Sequence, residues 1–230
     1  MPDASFDIRQ RQYWQHDKHR RRRDPADPVI RAYTGRKIAY MKNAMHMPEH
    51  PSILDVGAGN GYFSYWLQTL GDVTAVDYSD VILANNPVEK KMVMDARSLT
   101  FPDGSFDLSF CHAVLHHIRR EDRPAVLKEM TRVSRQYVVI IEPNRWNPVI
   151  AAFSTLKREE RGGLDFSLSA CRRLVLQAGL RVLAATTWGF LTPNRMPLSS
   201  VLLPLFLSLE RPLPFGVSTI VIAEKTESGT

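Results

Sequence analysis

Residues 53–64, ILDVGAGNGYFS, decide the fold of this 230-residue chain. A short apolar stretch ends at Asp55-Val56, and three glycines follow at positions 57, 59 and 61 before an aromatic-rich stretch begins at Tyr62. Such a glycine cluster lets the backbone turn sharply and lie against a ligand. The segment therefore predicts a β-strand, a ligand-binding loop and a helix, in that order.

On both sides of this segment, apolar stretches bounded by turn residues alternate with helical periodicity. This alternation is typical of a doubly wound sheet, which binds ligands beyond the carboxyl ends of its strands. We expect a single α/β domain with a Rossmann-like, doubly wound, seven-stranded sheet and helices on both faces. The predicted strands are 53–56, 73–77, 91–95, 106–111, 137–141, 180–187 and 217–223, and the predicted helices are 28–46, 62–70, 121–134, 167–178 and about 197–210.

Aspartates end the first three predicted strands. Asp55, beside the glycine loop, suits the cationic amino group of a methionine moiety. Asp77 is placed to accept hydrogen bonds from both hydroxyls of a ribose, and Tyr78 beside it can cover an adenine face. Asp95, followed by the small Ala96, can accept from the adenine amino group. Each aspartate alone is equally well explained as a cap or turn residue, but together they predict a nucleoside site.

The glycine spacing argues against a dinucleotide-binding protein. The dinucleotide fingerprint is G-x-G-x-x-G, whereas Tyr62 occupies the third position when the count begins at Gly57. The carboxylate of Asp55 would also be badly placed next to a diphosphate. The charge pattern therefore favours a sulfonium cofactor.

Taken together, these segments resemble the class I S-adenosylmethionine-dependent methyltransferases. Within that class they are similar to methyltransferase type 11, the group of ubiquinone/menaquinone-biosynthesis and small-molecule O-methyltransferases. The resemblance is strong over roughly residues 50–145. It implies that S-adenosyl-L-methionine is bound, that S-adenosyl-L-homocysteine is the product, and that the last strand is antiparallel. The matching segments are ILDVGAGNGYFS (53–64), AVDYS (75–79), MDA (94–96) and FPDGSFDLSFCHAVLHHI (101–118).

The resemblance also assigns roles along the cofactor. In the family, the glycine loop holds the methionine portion, and the equivalents of Asp77 and Asp95 hold the ribose and the adenine. The chain departs from the family at Asn85-Asn86-Pro87, which leaves room for only a short helix, so one wall of the adenine pocket is expected to be unusual. The residues expected to bind the cofactor are Asp55, Gly57, Ala58, Gly59, Gly61, Asp77, Tyr78, Asp95, Ala96 and His112.

The candidates for catalysis follow the fourth and fifth strands. In this fold the fourth strand ends near the transferring methyl group, so His117 or His116 could take a hydroxyl proton near neutral pH. Leu-His-His-Ile is nonetheless common in the family whatever the acceptor, and one of two adjacent histidines must point away. Glu142 either orients a histidine, binds a substrate hydroxyl, or stabilises a turn with Pro143.

The cysteines and apolar stretches indicate the setting. Cys111 and Cys171 give neither a disulfide framework nor a paired metal-ligand spacing, so no metal site and a reducing, cytoplasmic setting are expected. The N-terminus shows no signal-peptide core, and the apolar stretch 201–207 is too short to span a membrane. Core packing explains the apolar residues of 196–215 first, and an oily acceptor or a membrane surface is the second interpretation.

Residues 1–46 are predicted to form a basic N-terminal arm with a lid or cover helix, and residues 47–230 the methyltransferase domain. Residues 1–42 hold eleven Lys/Arg against five Asp, which accounts for the whole formal charge of +6. Arg20–Arg23 suits a phosphate-bearing substrate, an anionic lipid surface or RNA, although such a run is most often a solvated face. Three aromatic residues are expected to form either a lid or part of a helix packed on the sheet, namely Tyr13, Trp14 and Tyr33.

Methylation of a hydroxyl on a small, lipophilic metabolite is the leading functional hypothesis, with peripheral contact to an anionic membrane or lipid substrate as an extension of it. The basic arm motivates RNA methylation as an alternative. Nucleic acid is not the favoured partner, because the Asn/Asp-Pro-Pro-Tyr/Phe and Pro-Cys motifs of DNA methyltransferases are missing. A non-catalytic S-adenosylmethionine-binding protein is the third hypothesis, against which the intact glycine loop and aspartates argue.

Overall fold

The computed structural model describes residues 4–16, 23–190, 192, 201 and 203–226. The strands are β1 (Ser52–Val56), β2 (Asp72–Asp77), β3 (Lys91–Val93), β4 (Phe106–His112), β5 (Ser134–Pro143), β6 (Leu180–Trp188) and β7 (Ser218–Lys225). They form a seven-stranded sheet in the order β3-β2-β1-β4-β5-β7-β6. β7 runs antiparallel to both neighbours, and the other pairs are parallel. The predicted fold class and the direction of the last strand are confirmed.

Helices cover both faces of the sheet. They are α1 (Ala4–Trp14), α2 (Pro28–Ala44), α3 (Tyr62–Leu67), α4 (Asp80–Leu83), α5 (Arg123–Val133), α6 (Pro148–Leu156), α7 (Leu168–Gln177) and α8 (Leu203–Leu209). Successive residues of a strand point to opposite faces. In β5, Val139 and Ile141 join the core cluster that includes α2 and α3, whereas Val138 and Ile140 join the cluster that includes α5 and α7.

Several predicted elements are shorter or begin elsewhere. The predicted helix 121–134 is α5, which ends before Ser134 because the backbone there becomes extended and starts β5. The helix after β2 has only four residues, as the Asn85-Asn86-Pro87 sequence predicted. α8 represents the end of the predicted helix at about 197–210, and residues 193–200 and 202 lie outside the described part of the chain.

Two helices are not among the helix ranges predicted from the sequence, although a helix that includes Tyr13 and Trp14 was one of the two alternatives for the N-terminal arm. α6 begins with a strong signal that the prediction missed: the side chain of Asn147 accepts hydrogen bonds from the backbone N–H groups of Val149 and Ile150, and Pro148 occupies the first helical position. α1 is polar and has no apolar stripe, so periodicity carries no signal there.

No helix formed by the described residues is long and apolar enough to cross a membrane. Cys111 and Cys171 are buried and free. Burial raises the pKa of both thiols. Both cysteines therefore behave as small apolar core residues, not as reactive thiolates.

Candidate active site

A cavity of about 270 Å³ lies at the carboxyl ends of β1, β2, β4 and β5, and α1 contributes to its wall. Parallel strands end together at this edge, so the residues that follow them in sequence converge there. Among the residues predicted to bind the cofactor, all except Gly61 border this cavity. The predicted catalytic residues His116, His117 and Glu142 border it as well.

The glycine loop lies against β2 and against the turn that follows β4. The N–H groups of Gly57 and Ala58 both donate to the carbonyl of Val76, at 2.8 and 2.9 Å. Gly57 and Gly59 have positive φ angles of 69° and 53°. A Cβ added to Gly57 would overlap with the side chain of Val114. The loop therefore requires glycine for its backbone conformation and for its packing.

Gly61 is the exception to the predicted set. It precedes α3 with a φ of 87°, and a Cβ there would meet Asn86 and Pro87 instead of the cavity. Gly61 therefore permits the turn into α3 and does not border the cavity, and its contact with the cofactor stays a prediction.

Asp77 connects the glycine loop to the turn that follows β2. Its Oδ2 accepts from the N–H of Gly59, and its Oδ1 accepts from the N–H of Ser79, both at 2.9 Å. Each carboxylate oxygen can accept more than one hydrogen bond. Asp77 can therefore hold both loops while it borders the cavity where a ribose is expected.

Asp55 is a buried carboxyl group beside the glycine loop. Burial raises its pKa to about 7, the hydroxyl of Ser64 opposes that rise by donating to Oδ2 at 2.6 Å, and the charge of Asp77 adds to it. A cation in the cavity would favour the charged carboxylate. This is the electrostatic behaviour expected of a residue that binds an amino group.

Arg97, which the sequence did not single out, organises the expected adenine end. Its Nε and Nη2 donate to Asp95 at 3.0 and 2.7 Å, and its Nη1 donates to Asp7 and Asp122 at 3.0 and 3.1 Å. Partial burial opposes ionisation of Asp95, but the hydrogen bonds and charge of Arg97 lower its pKa below the usual range. Asp95 is therefore a fixed, charged acceptor next to Ala96.

One face of α1 forms the outer wall of the cavity. Asp7, Gln10, Arg11 and Trp14 border the cavity and follow the i, i+3, i+4, i+7 spacing of a single helical face. The hydroxyl of Tyr78 donates to the carbonyl of Gln10 at 3.0 Å. The aromatic ring predicted to cover an adenine therefore also holds α1 in place.

The basic cluster of the N-terminal arm is described only in part. Lys18 and Arg20–Arg22 lie outside the described residues. Arg23 lies 3.1 Å from Asp27, the N-cap of α2. Its exposed ion pair contributes little to stability.

Glu142 positions the turn that follows β4 and the side chain of His116. These residues lie on the side of the cavity where the methyl acceptor is expected, which we call the acceptor side. Its Oε1 accepts from the N–H groups of Val114 and Leu115 at 2.9 and 2.8 Å, and its Oε2 lies 2.8 Å from Nδ1 of His116. Ala113, with a φ of 57°, turns the chain between β4 and these N–H groups. Glu142 therefore orients a histidine, as one of its predicted roles required.

The structure does not support His116 as a proton acceptor. Burial lowers its pKa, but Glu142 and then Glu160 outweigh burial and raise the pKa to about 9. Its Nε2 lies 3.5 Å from Oε2 of Glu160. Without a bound ion His116 is protonated at neutral pH and has no lone pair with which to accept a proton.

His117 is the better placed of the two histidines for contact with an acceptor. Its ring centroid lies 3.9 Å from that of His116 and 4.9 Å from that of Trp14, whose ring is nearly perpendicular to it. Glu160, on the 3-10 segment Arg158–Asp165, completes the cluster. Glu160 lies in a charged run, REER, that contains no motif, so the sequence carried no signal for it.

His112 joins the cavity to α2. Its Nε2 lies 2.8 Å from the hydroxyl of Tyr33, and its ring packs 4.6 Å from that of Phe63. Tyr33 is 5% exposed and borders the cavity. The two predicted residues therefore form one unit of the wall between the glycine loop and the acceptor side.

The residues around the cavity fit the cofactor expected from the sequence. Asp55, Asp77 and Asp95 are acceptors for an ammonium group, ribose hydroxyls and an adenine amino group. Burial disfavours the charged form of Asp55, which a cationic ligand would compensate and a diphosphate would not. The site therefore suits a cationic nucleoside better than a dinucleotide.

Sequence comparisons identify related proteins. Residues 54–141 match the family model described as "Methyltransferase domain". EEF1A lysine methyltransferase 4 of Mus musculus is 37% identical over 120 residues, which cover 47% of this chain and 45% of that protein. Phosphatidylethanolamine N-methyltransferase of Cereibacter sphaeroides is 30% identical over 122 residues, which cover 47% of this chain and 59% of that protein. The chain spans about half the length of these curated relatives.

Solved structures share the fold over most of the chain. A possible histamine N-methyltransferase of Thermotoga maritima aligns with a TM-score of 0.63 at 16% identity, over 86% of this chain and 92% of that one. Magnesium protoporphyrin IX methyltransferase of Synechocystis PCC 6803 with bound S-adenosylhomocysteine aligns with a TM-score of 0.66 at 15% identity, over 96% of this chain and 100% of that one.

Proposed function

From the premise that residues 54–141 match a family of methyltransferase domains, we propose that this chain is a class I S-adenosylmethionine-dependent methyltransferase and that it methylates a hydroxyl group of a small metabolite. The observation that carries this proposal is one continuous cavity. It joins the three strand-end aspartates to the cluster of His116, His117, Glu142 and Glu160. Cofactor and acceptor can therefore be in contact within a single enclosure.

The proposed cofactor contacts follow the order of the strands. Asp55 receives the amino group, Asp77 the ribose hydroxyls and Asp95 the adenine amino group. Gly57 and Gly59 leave the backbone accessible beside the methionine portion. The cofactor supplies an electrophilic methyl group on a positively charged sulfur.

Methyl transfer is an in-line displacement. The bond between sulfur and the methyl carbon breaks, its electron pair stays on sulfur, and the acceptor oxygen forms the new bond to carbon. Holding the two reactants in contact supplies much of the acceleration. The hydroxyl proton leaves to water from the part of the cavity that is bordered by His117 and by His116, which is paired with Glu142.

Apolar side chains favour an acceptor with an apolar body. Trp14, Ile118, Ile150 and Val217 border the cavity together with the histidine cluster. α6, which supplies Ile150, also carries Val149 with 54% of its side chain exposed. An apolar acceptor that reaches the cavity past α6 would gain contact area with both residues. Peripheral contact with an anionic membrane and the domain boundary near residue 46 stay predictions.

The proposal is tested with methyl-labelled S-adenosylmethionine and a fractionated host extract that includes lipids, tRNA and protein. We expect label in a small molecule and an O-methyl group in its mass and NMR spectra. Asp77→Asn serves as the binding-deficient comparison. Label in tRNA instead would support the basic-arm alternative and overturn the small-molecule proposal. Binding of the cofactor without transfer to any fraction would favour a non-catalytic protein.

An amine acceptor is the second candidate, because two relatives are named for a lysine and for phosphatidylethanolamine. Glu160 borders the cavity and supplies a carboxylate for an ammonium group. The same labelling experiment separates the two candidates, since N-methyl and O-methyl products differ in their methyl NMR shifts. Label in an amine would mean that the proposed acceptor is an amine instead of a hydroxyl group, and the proposed cofactor site would stay the same.

A further inference from the structure

The acceptor side holds a group of metal-ligating side chains that the methyl-transfer reaction does not by itself explain. His116, His117 and Glu160 each offer one ligand atom, and these atoms lie within 4.8 Å of one another. All three residues border the cavity. Two imidazoles and one carboxylate form a ligand set that suits a divalent transition-metal ion.

The distance between the ligand atoms of His116 and Glu160 fits coordination of one ion. Nε2 of His116 and Oε2 of Glu160 are 3.5 Å apart. Two ligands that are each about 2.1 Å from one ion and 3.5 Å from each other make an angle of about 113° at the ion, close to tetrahedral. Two ligands of one ion lie at most about 4.2 Å apart. The ring of His117 therefore needs at most a small rotation to join them.

Glu142 prepares His116 for a metal. Its Oε2 lies 2.8 Å from Nδ1, so Nδ1 donates its hydrogen to the carboxylate and Nε2 is directed toward Glu160. Metal-binding histidines are commonly oriented by a carboxylate in this way. Glu142 is 1% exposed and held by two backbone N–H groups, so it cannot rotate away without losing them.

The backbone turn that carries His116 and His117 lies directly against the segment that carries Glu160, with no side chain between them. A Cβ added to Gly162, two residues after Glu160, would overlap with the carbonyl oxygen of His116. The 3-10 turn Leu115–His117 and the segment Arg158–Asp165 are therefore in direct contact. The ligand positions are fixed by packing before any ion binds.

Charge also favours a divalent ion. Glu142 and Glu160 place two carboxyl groups against the imidazole of His116, 2.8 Å from Nδ1 and 3.5 Å from Nε2. A divalent ion bound at Nε2 would bring two positive charges close to both carboxyl groups.

We propose that His116, His117 and Glu160 bind one divalent transition-metal ion of the zinc type, with a coordination position open to the cavity. Three protein ligands and an open position are typical of catalytic zinc sites. The inference rests on the proposed function in one respect: the open position would take the acceptor hydroxyl and lower its pKa, so that its proton leaves to water. His117 is then a ligand, and no free imidazole has to accept that proton.

The test uses tag-free protein that is treated with a chelator, dialysed and titrated with Zn²⁺ by calorimetry. We expect one ion per chain. Glu160→Gln and His117→Ala should each weaken binding by on the order of 10-fold or more. Glu159→Gln is the matched control, because it removes the same charge from the neighbouring position of the same 3-10 segment. Co²⁺ in place of Zn²⁺ should give the visible absorption of four- or five-coordinate cobalt, and these bands should be lost in His117→Ala.

Stoichiometric binding that is equal in wild type, Glu160→Gln and His117→Ala would overturn the site, as would the absence of stoichiometric binding in both wild type and Glu159→Gln. Circular dichroism checks that each variant is folded. If His117→Ala is not folded, His117→Gln is used in its place. S-adenosylmethionine binding is measured on the chelator-treated protein. Retained cofactor binding without metal binding refutes only the metal site, whereas metal binding without cofactor binding refutes only the proposed function.

Discussion

The ammonium group of Lys37 and the carboxylate of Glu210 lie 2.8 Å apart, and both side chains are fully buried. Glu210 also accepts from the indole N–H of Trp188 and the backbone N–H of Phe190, each at 3.2 Å. Burial lowers the pKa of Lys37, whereas the charge of Glu210 raises it. The pair connects α2, which carries Tyr33 into the cavity wall, to the segment that follows β6.

We expect Lys37→Met to lower the free energy of unfolding by about 3–5 kcal/mol, because it leaves the carboxylate of Glu210 buried without its cation. Urea denaturation measures the change. Lys42→Met, at an exposed position of the same helix, is the control and should change stability by less than about 0.5 kcal/mol. The double variant Lys37→Met/Glu210→Met should recover most of the loss. If Lys37→Met were as stable as Lys42→Met, the ion pair would not contribute to the stability of the fold.

Asp77→Asn should weaken S-adenosylmethionine binding about 10- to 100-fold, because hydrogen bonds to a charged acceptor contribute about 1.5–3 kcal/mol. Isothermal titration calorimetry measures the affinity. Asp72→Asn, at the exposed start of the same strand, is the matched control and should bind as wild type does. Unchanged binding in Asp77→Asn would remove Asp77 from the cofactor site.

The ligand-free protein should become more stable as the pH falls from about 7 toward 4. Asp55 has a pKa of about 7 in the folded chain, above its ordinary value of 3.8, so the folded state binds more protons than the unfolded state in that range. The gain attributable to Asp55 is on the order of 2–4 kcal/mol. The variant Asp55→Asn should lack this part of the pH dependence and be more stable than wild type at pH 8.

The same Asp55→Asn variant should bind S-adenosylmethionine more weakly, because the amide carries no charge for the amino group. Chemical denaturation between pH 5 and pH 8 and calorimetry at pH 8 measure the two effects. A variant that keeps the full pH dependence of wild type would show that the carboxyl of Asp55 is not the titrating group.

Gly57→Ala should destabilise the chain by more than about 1 kcal/mol and abolish cofactor-induced stabilisation, since the new Cβ overlaps with Val114 and φ is positive. Gly35→Ala is the contrasting control. It lies inside α2 with no atom within 4 Å of an added Cβ, so it should be neutral or stabilising by about 0.5–1 kcal/mol. Thermal unfolding with and without S-adenosylmethionine compares the two. Equal behaviour of both variants would contradict the close packing of the loop.

The cofactor side was predictable from sequence because its signals are local. The glycines need positive φ angles within one loop, and each aspartate lies within two residues of the end of a strand: Asp55 and Asp77 inside β1 and β2, and Asp95 two residues after β3, which is shorter than the predicted strand 91–95. Topology then brings Asp55, Asp77 and Asp95 to one edge without further information. Gly61 also packs against Asn86 and Pro87, and periodicity does not reveal this reason for a glycine there.

The acceptor side was predictable only where it lies next to a strand. Glu142 lies at the end of β5 and the two histidines follow β4. Glu160 and Arg97 instead act through contacts between segments far apart in the chain. The pairing of His116 with two carboxyl groups argues against the proton-acceptor role that its sequence position suggested. Long-range contacts of this kind leave no pattern among neighbouring residues of the sequence. The bounds of the polar helix α1 could not be predicted either, because it has no apolar stripe.

α1 is attached to the body of the protein by a few polar contacts, among them those of Asp7 with Arg97 and of the Gln10 and Trp14 carbonyls with Tyr78 and Ser79. The same helix borders the cavity, so the shape of the site depends on a segment that precedes the whole sheet in the chain. A substitution in α1 can therefore change the cavity without altering any strand or the glycine loop.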